Sequence, residues 1–160
     1  MEPLRLGLAD AGELLTLQRA AYVPEARAHN TLDLPALLET FDQVHAALRD
    51  PACLAWGFRD GGRLVATVRI KVVGAIGEVG RLAVAPDRQG QGLGSALLLA
   101  AEERLPRGVN LLRLFTGEHS TGPLRLYARL GYHETHRSPA GDYHLVHFEK
   151  PSLHSAGIVR

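Results

Sequence analysis

Between Arg81 and Leu105 the sequence RLAVAPDRQGQGLGSALLLAAEERL passes from an apolar run, through a proline-marked turn and a glycine-spaced loop, into an amphipathic helix. No other stretch constrains the fold as much, because a helix entered this way presents unpaired amides to whatever lies before it. Leu82 and Val84 read as strand, and Leu93, Ala96, Leu97 and Ala100 recur at helical spacing. Gly90, Gly92 and Gly94 remove Cβ atoms where the backbone is expected to approach a ligand closely. The first amides of the helix lack intrahelical partners and carry the positive end of its dipole, so phosphate is the expected guest.

Spacing separates three phosphate-binding patterns. A dinucleotide fingerprint needs its third glycine where Ser95 stands, and a carboxylate near Asn110, where there is none. A P-loop needs Lys and then Ser or Thr after its last glycine, but Ser95 and Ala96 follow Gly94. What remains is Gln89-x-x-Gly92-x-Gly94, flanked by LAVAP and GSALL. It resembles the Q/R-x-x-G-x-G/A pyrophosphate loop of the GNAT superfamily of acetyl-CoA-dependent N-acetyltransferases.

The rest of the chain reads as one α+β domain. At 160 residues it is long enough to bury a core without disulfides or metals. Eighteen Lys and Arg nearly balance 17 Asp and Glu, for a net charge of +1, and no basic run suggests nucleic acid. Cys53, the single cysteine, lies in an apolar run and reads as a buried small hydrophobe in a reducing compartment. With no secretory pattern and no run of about 18 apolar residues, the expectation is a cytoplasmic protein.

Periodicity and punctuation give the order β-α-α-β-β-β-α-β-α-β-β. Leu4 to Leu8 alternates; Asp10, with Glu13 three residues on, is the expected cap of a helix carrying Leu14, Leu17 and Ala21, which Pro24 ends. A second helix is expected from Pro35, burying Leu34, Leu37, Leu38, Phe41, Val44 and Leu48, with His45 as a packing residue. Three strands follow: Ala52 to Arg59, Leu64 to Val73 and Glu78 to Ala85, the first two joined by Asp60-Gly61-Gly62. After the glycine loop and its helix come a strand from Asn110 to Thr116, parallel to its predecessor because a helix crosses between them, and a helix from Pro123 to Leu130. A hairpin of Tyr132 to Ser138 and Tyr143 to Glu149 closes the domain at residue 150, leaving 151–160 as a tail.

That order is also the GNAT order, so the resemblance covers nearly the whole chain. It implies a mostly antiparallel twisted sheet with helices on both faces and a splayed parallel pair at the fourth and fifth strands. It further implies acetyl-CoA as donor: the pantetheine arm against the backbone of Leu82, Ala83 and Val84, and the pyrophosphate on the amides of Gln89, Gly90, Gln91, Gly92, Leu93, Gly94 and Ser95. Arg88 reads as a solvated turn residue. A second motif, Ser120 to Tyr132 (STGPLRLYARLGY), is similar to the family's L-Y-x-x-x-G-F/Y helix end and places Tyr127 on its tyrosine. Many relatives carry an asparagine near the start of this helix; here Ser120 is the residue that could replace it.

Acetyl transfer to an amine sets proton requirements. An alkyl amine of pKa about 10.4 is neutral in only about one part in 2,500 at pH 7, a cost of roughly 4.6 kcal/mol without a base. A departing thiolate needs a proton, and a phenol of ordinary pKa about 10 can hand one to a thiol of about 8.5 at an uphill cost of about 2 kcal/mol. Tyr127 suits that task, with the Val84 amide as the expected oxyanion donor. Glu78 is the expected base: relatives often carry a water-activating Glu on this strand, and alternation puts it on one face with Gly80, Leu82 and Val84. Glu118 and His119, after the fifth strand, are the second choice. Tyr22, Glu25, His29, Glu118, Tyr143 and His144 are candidate acceptor contacts. His133, His136, His144 and His147 lack paired spacing, so no metal is expected.

The expected activity is N-acetylation of a primary amine, on a small molecule or peptide, by direct attack in a ternary complex; a homodimer is possible for such a domain. The alternatives are a non-catalytic acyl-CoA-binding module and a nucleotide-binding protein using the same loop.

Overall fold

The computed structural model describes residues 1–158. The sheet has seven strands in the order β1-β2-β3-β4-β5-β7-β6: β1 (Leu4–Arg5), β2 (Cys53–Asp60), β3 (Arg63–Val73), β4 (Ile76–Val84), β5 (Leu111–Gly117), β6 (His133–Ala140) and β7 (Tyr143–Pro151). Neighbours are antiparallel except β4 and β5, whose parallel pairing follows from the helical crossover between them.

The first expected helix forms close to its expected bounds and is followed by another, and the second expected helix is divided. α1 (Ala11–Ala21) ends at Tyr22, and α2 (Val23–Ala28) carries Pro24 in its first turn, where the missing N–H costs nothing. Pro24 thus begins a helix instead of ending one. Asp10 does not cap α1 with its side chain; it accepts from the Gly7 N–H, and Glu13 accepts from the Leu64 N–H while pairing with Arg59. These acids pin the start of α1 to the β2–β3 hairpin. The second expected helix becomes α3 (Pro35–Leu38) and α4 (Phe41–Arg49), because Thr40 and Gln43 form a capping box that restarts the chain. The break leaves Leu38 and Phe41 exposed, against the expected continuous apolar face.

α1 and α4 cover one face of the sheet and α5 (Leu93–Glu103) the other. Leu14 on α1 and Leu97 and Leu98 on α5 are fully buried, enclosing Val65, Val68, Ile70, Leu112 and Val146. α6 (Thr121–Arg129) packs beside α5, with Leu126 against Gly94. Gly94 is buried at this packing contact, where a Cβ would lie in ordinary van der Waals contact with Leu126 and Val84. Glu102, buried on α5, accepts from Tyr132 and Lys150 at 2.7 Å each and ties the helix to β7.

The segment read as a tail is joined to the domain. The buried Ser152 donates its N–H to Asn110 and its hydroxyl to Val109, and α7 (Leu153–Ile158) follows. Residues 159 and 160 of the expected tail lie outside the described residues.

Candidate active site

β4 and β5 pair only from Ile76 with Leu111 to Glu78 with Arg113 and then diverge, although β4 runs on to Val84 and β5 to Gly117. The diverging strands leave backbone groups facing a gap. Ala85 N–H donates to Val65 on β3, so by alternation the Val84 amide faces away from β3.

A cavity of about 440 Å³ opens at this gap, lined by Leu82, Ala83, Val84, Gln89, Gly90, Gly92, Leu93, Gly94 and Ser95 and, from α6, by Ser120 to Pro123. Gly90 (φ 76°) and Gly92 (φ 79°) take left-handed conformations that bring the chain round to the start of α5, and a Cβ at either would project into open space. Arg88, which also lines this cavity, pairs with Asp60 and donates to Gln91. Gln89 donates to the Val84 carbonyl.

A second cavity, about 580 Å³, lies on the other side of the gap under α2, α3 and the β6–β7 hairpin. Its floor is shaped by an irregularity absent from the sequence reading. Thr67 pairs with Ala83 and Arg69 with Gly80, so Arg81 and Leu82 together oppose Val68 in a bulge, with Arg81 at φ 54°. The bulge reverses side-chain parity along β4. Glu78 and Gly80 share the face of Arg69, whereas Leu82 and Val84 point to α5, where they contact the Gly94 position. Simple alternation had put Glu78 on one face with Leu82 and Val84, and the inserted residue is why it does not hold.

The bulge also brings Arg81 to Glu39. The Glu39 carboxylate accepts from Arg69 (2.6 and 3.1 Å), from Gln18 (2.9 Å) and from Nε of Arg81 (3.2 Å). Burial would raise this carboxyl, but the bonds from Arg69 and Gln18 and the two guanidinium charges outweigh it and bring its pKa to about 2.

Glu25, Leu82, Ser120, Pro123 and Tyr127 line both cavities and mark where they meet. Tyr127 on α6 is buried against Tyr132 and Phe148, and burial, helped by Tyr22 and Glu25, raises its phenol far above the usual range. Glu25 on α2 is half-buried, with its carboxyl raised by burial; its carboxylate has no side-chain hydrogen bond or ion pair among the described residues. Ser120, 5% exposed, has an Oγ with no partner among them either. A buried hydroxyl left unpaired costs about 1–3 kcal/mol, a cost that a bound ligand could remove. Main-chain donors at the loop, an unpaired strand edge and this orphaned hydroxyl together fit an elongated ligand with a diphosphate end.

Residues 14–132 match the family model described as Acetyltransferase (GNAT) family. The chain belongs to the GNAT family. Acetyl-CoA is the acyl donor of this family. The chain is 33% identical over 142 residues to the mycothiol acetyltransferase of Clavibacter michiganensis subsp. michiganensis, covering 82% of this chain and 44% of that protein. It is 35% identical over 132 residues to the mycothiol acetyltransferase of Pseudarthrobacter chlorophenolicus, covering 77% and 39%. It thus spans less than half the length of these curated relatives. In fold it is similar to the ribosomal-protein-S18-alanine N-acetyltransferase of Escherichia coli (TM-score 0.78, 22% identity, 94% of this chain and 93% of that one). It is similar also to PaiA N-acetyltransferase of Thermoplasma acidophilum in complex with coenzyme A (0.73, 18%, 91% and 96%).

Within this GNAT fold, Glu78, Tyr22, His29 and Tyr143 line the larger cavity, together with the buried Cys53. His119 borders the smaller one. Glu118 is not among the residues lining either; it accepts from the His144 N–H and faces Arg137, holding β5 to β7. The Arg69–Glu39–Arg81 cluster escaped sequence reading because its members are 30 and 12 residues apart on a loop and two strands, with no shared period. No helix among the described residues is long and apolar enough to cross a membrane.

Proposed function

We propose that this chain transfers the acetyl group of acetyl-CoA to a primary amine by direct attack in a ternary complex. The observation that carries the reading is the meeting of two cavities, one against the glycine loop and one against the acidic and basic floor of β3 and β4, at Glu25 and Tyr127. Donor and acceptor can then be held at once, so no covalent enzyme intermediate is needed.

Bound acetyl-CoA supplies an activated acyl carbon and a thiol leaving group. The amides from Gln89 to Ser95, at the positive end of α5, hold the diphosphate. The strand edge at Leu82 to Val84 aligns the arm, with the Val84 N–H facing the gap where the thioester oxygen would gain charge. Tyr127 keeps its proton at all working pH values and donates it toward the sulfur. Its raised pKa makes full transfer costlier than the roughly 2 kcal/mol of an ordinary phenol, so its main contribution is a hydrogen bond to the leaving thiolate.

For the amine proton, Glu25 is better placed than Glu78. Both face the acceptor cavity, but Glu25 alone of the two also lines the donor cavity, and burial raises its carboxyl, which favours proton uptake by its carboxylate. An acceptor screen following free CoA thiol, run beside Tyr127→Phe, tests the proposal. Thiol release that requires an amine supports it; CoA binding without release by any amine marks a non-catalytic acyl-CoA-binding module instead.

A further inference from the structure

Among the charged groups that line the acceptor cavity, Arg81 and Glu25 stand at its two ends as groups that a ligand could pair. Lys71 stands directly opposite Glu78 in the β3–β4 register. Asp50 accepts from the Ala52 N–H. Arg69, 8% exposed, is chelated by both oxygens of Glu39. Arg81 shares that carboxylate through Nε alone, and its two Nη atoms have no partner among the described residues. One carboxylate thus stands against two guanidinium groups, leaving a surplus positive charge on the cavity floor. At the transfer end, Glu25 is a negative charge with no ion pair among the described residues. Tyr22 lines the same cavity, and its phenol, raised by burial to about 12, feels the Arg81 charge lowering it and the Glu25 charge raising it.

Holding Arg81 there has a cost. A non-glycine residue at φ 54° is strained by about 1–2 kcal/mol, and here the strain turns a strand residue out of alternation and into the cavity. With Nε committed to Glu39, the outer edge of the guanidinium offers two parallel N–H groups, the arrangement that grips a planar two-oxygen anion.

From this pairing, and resting on the transferase reading above, we infer that the acceptor is a zwitterion: a primary amine that also carries a carboxylate, its ammonium held by Glu25 and its carboxylate by the open edge of Arg81. A simple amine does not satisfy both groups, since an alkyl ammonium answers Glu25 and leaves Arg81 bare. An amino acid answers both.

The test compares amines on one skeleton. CoA thiol release from acetyl-CoA is measured with glycine, β-alanine and 4-aminobutyrate, each against its own amide, with propylamine and 2-aminoethylphosphonate as further arms. In at least one pair the acid should exceed its amide in kcat/KM by about tenfold or more, although the amide has the more easily deprotonated amine. Arg81→Gln should bring that ratio close to one by raising KM for the acid, and Arg81→Lys should keep part of it. Calorimetry with CoA, unchanged in both variants, shows that the fold and donor site persist. Preference for the phosphonate would assign the edge to a phosphoryl anion and overturn the carboxylate. Amides or propylamine equal to the acids, or an Arg81→Gln ratio unchanged from wild type, would overturn the inference and leave the transferase standing. CoA binding with no turnover of any amine would overturn both, and no CoA binding at all would remove the donor site itself.

Discussion

The imidazole of His29 fills the space that a side chain on Gly117 would need: a Cβ built there overlaps the ring. His29 accepts from the His119 N–H through Nε2 at 3.0 Å, so its proton is on Nδ1, which donates to the Glu25 carbonyl at 2.8 Å. A neutral histidine thereby fastens α2, and with it Glu25, to the end of β5 where the strands diverge. Gly117→Ala should expel the ring and loosen α2. The expected outcome is a loss of about 1–3 kcal/mol in denaturant unfolding and a fall in kcat larger than any change in CoA affinity. Unchanged kcat would detach this contact from catalysis.

Tyr127→Phe removes the hydroxyl proposed to hydrogen-bond the sulfur and keeps the ring packed on Tyr132 and Phe148. Turnover should drop by about 10²-fold or more with CoA binding nearly intact. Because burial raises this phenol, the wild-type pH–rate profile should show no falling limb assignable to it below about pH 10.

Glu25→Gln and Glu78→Gln separate the two carboxylates. The first should cut kcat by about 10²-fold or more and abolish the acidic limb of the profile, since a raised carboxyl must lose its proton before it can accept one. The second should act mainly on acceptor KM. The reverse pattern would return the base to β4.

Ser120→Ala deletes a hydroxyl that is buried and without a partner among the described residues. Stability without ligand should therefore hold or rise slightly, while CoA affinity falls by about three- to tenfold. Equal affinity, measured by calorimetry, would mean that the hydroxyl never meets the donor.

Glu39 makes stability depend on acid. Its carboxyl falls from an ordinary 4.5 to about 2 on folding, so it contributes about 3 kcal/mol at neutral pH. A depressed pKa means that this contribution is complete above about pH 5 and is lost as pH falls toward 2. Glu39→Gln should be less stable than wild type at pH 7, with the gap narrowing through that window in urea unfolding.

Local features were legible without coordinates. The strand, loop and helix from Arg81 to Leu105 could be read because each step depends on neighbours in sequence: alternation, left-handed glycines, helical spacing. The splayed strands were reached only through resemblance, since local periodicity does not say where pairing stops. The break at Thr40 was missed because apolar spacing continues across it while a capping box chooses the division, and α2 was missed because a proline that can end one helix can also sit in the first turn of the next. Glu25 entered as one acceptor contact among six, and its place at the meeting of the cavities follows from His29 reaching Gly117, 88 residues on.

The sequence alone determined that a glycine-spaced loop sits between a strand and a helix, because backbone conformation and helix-end amides are properties of a dozen consecutive residues. Which charges remain unmatched was decided only in three dimensions. One extra residue in β4 rotates Arg81 toward Glu39 and reverses the faces on either side of it, and electrostatic balance depends on distances between segments that no local pattern encodes.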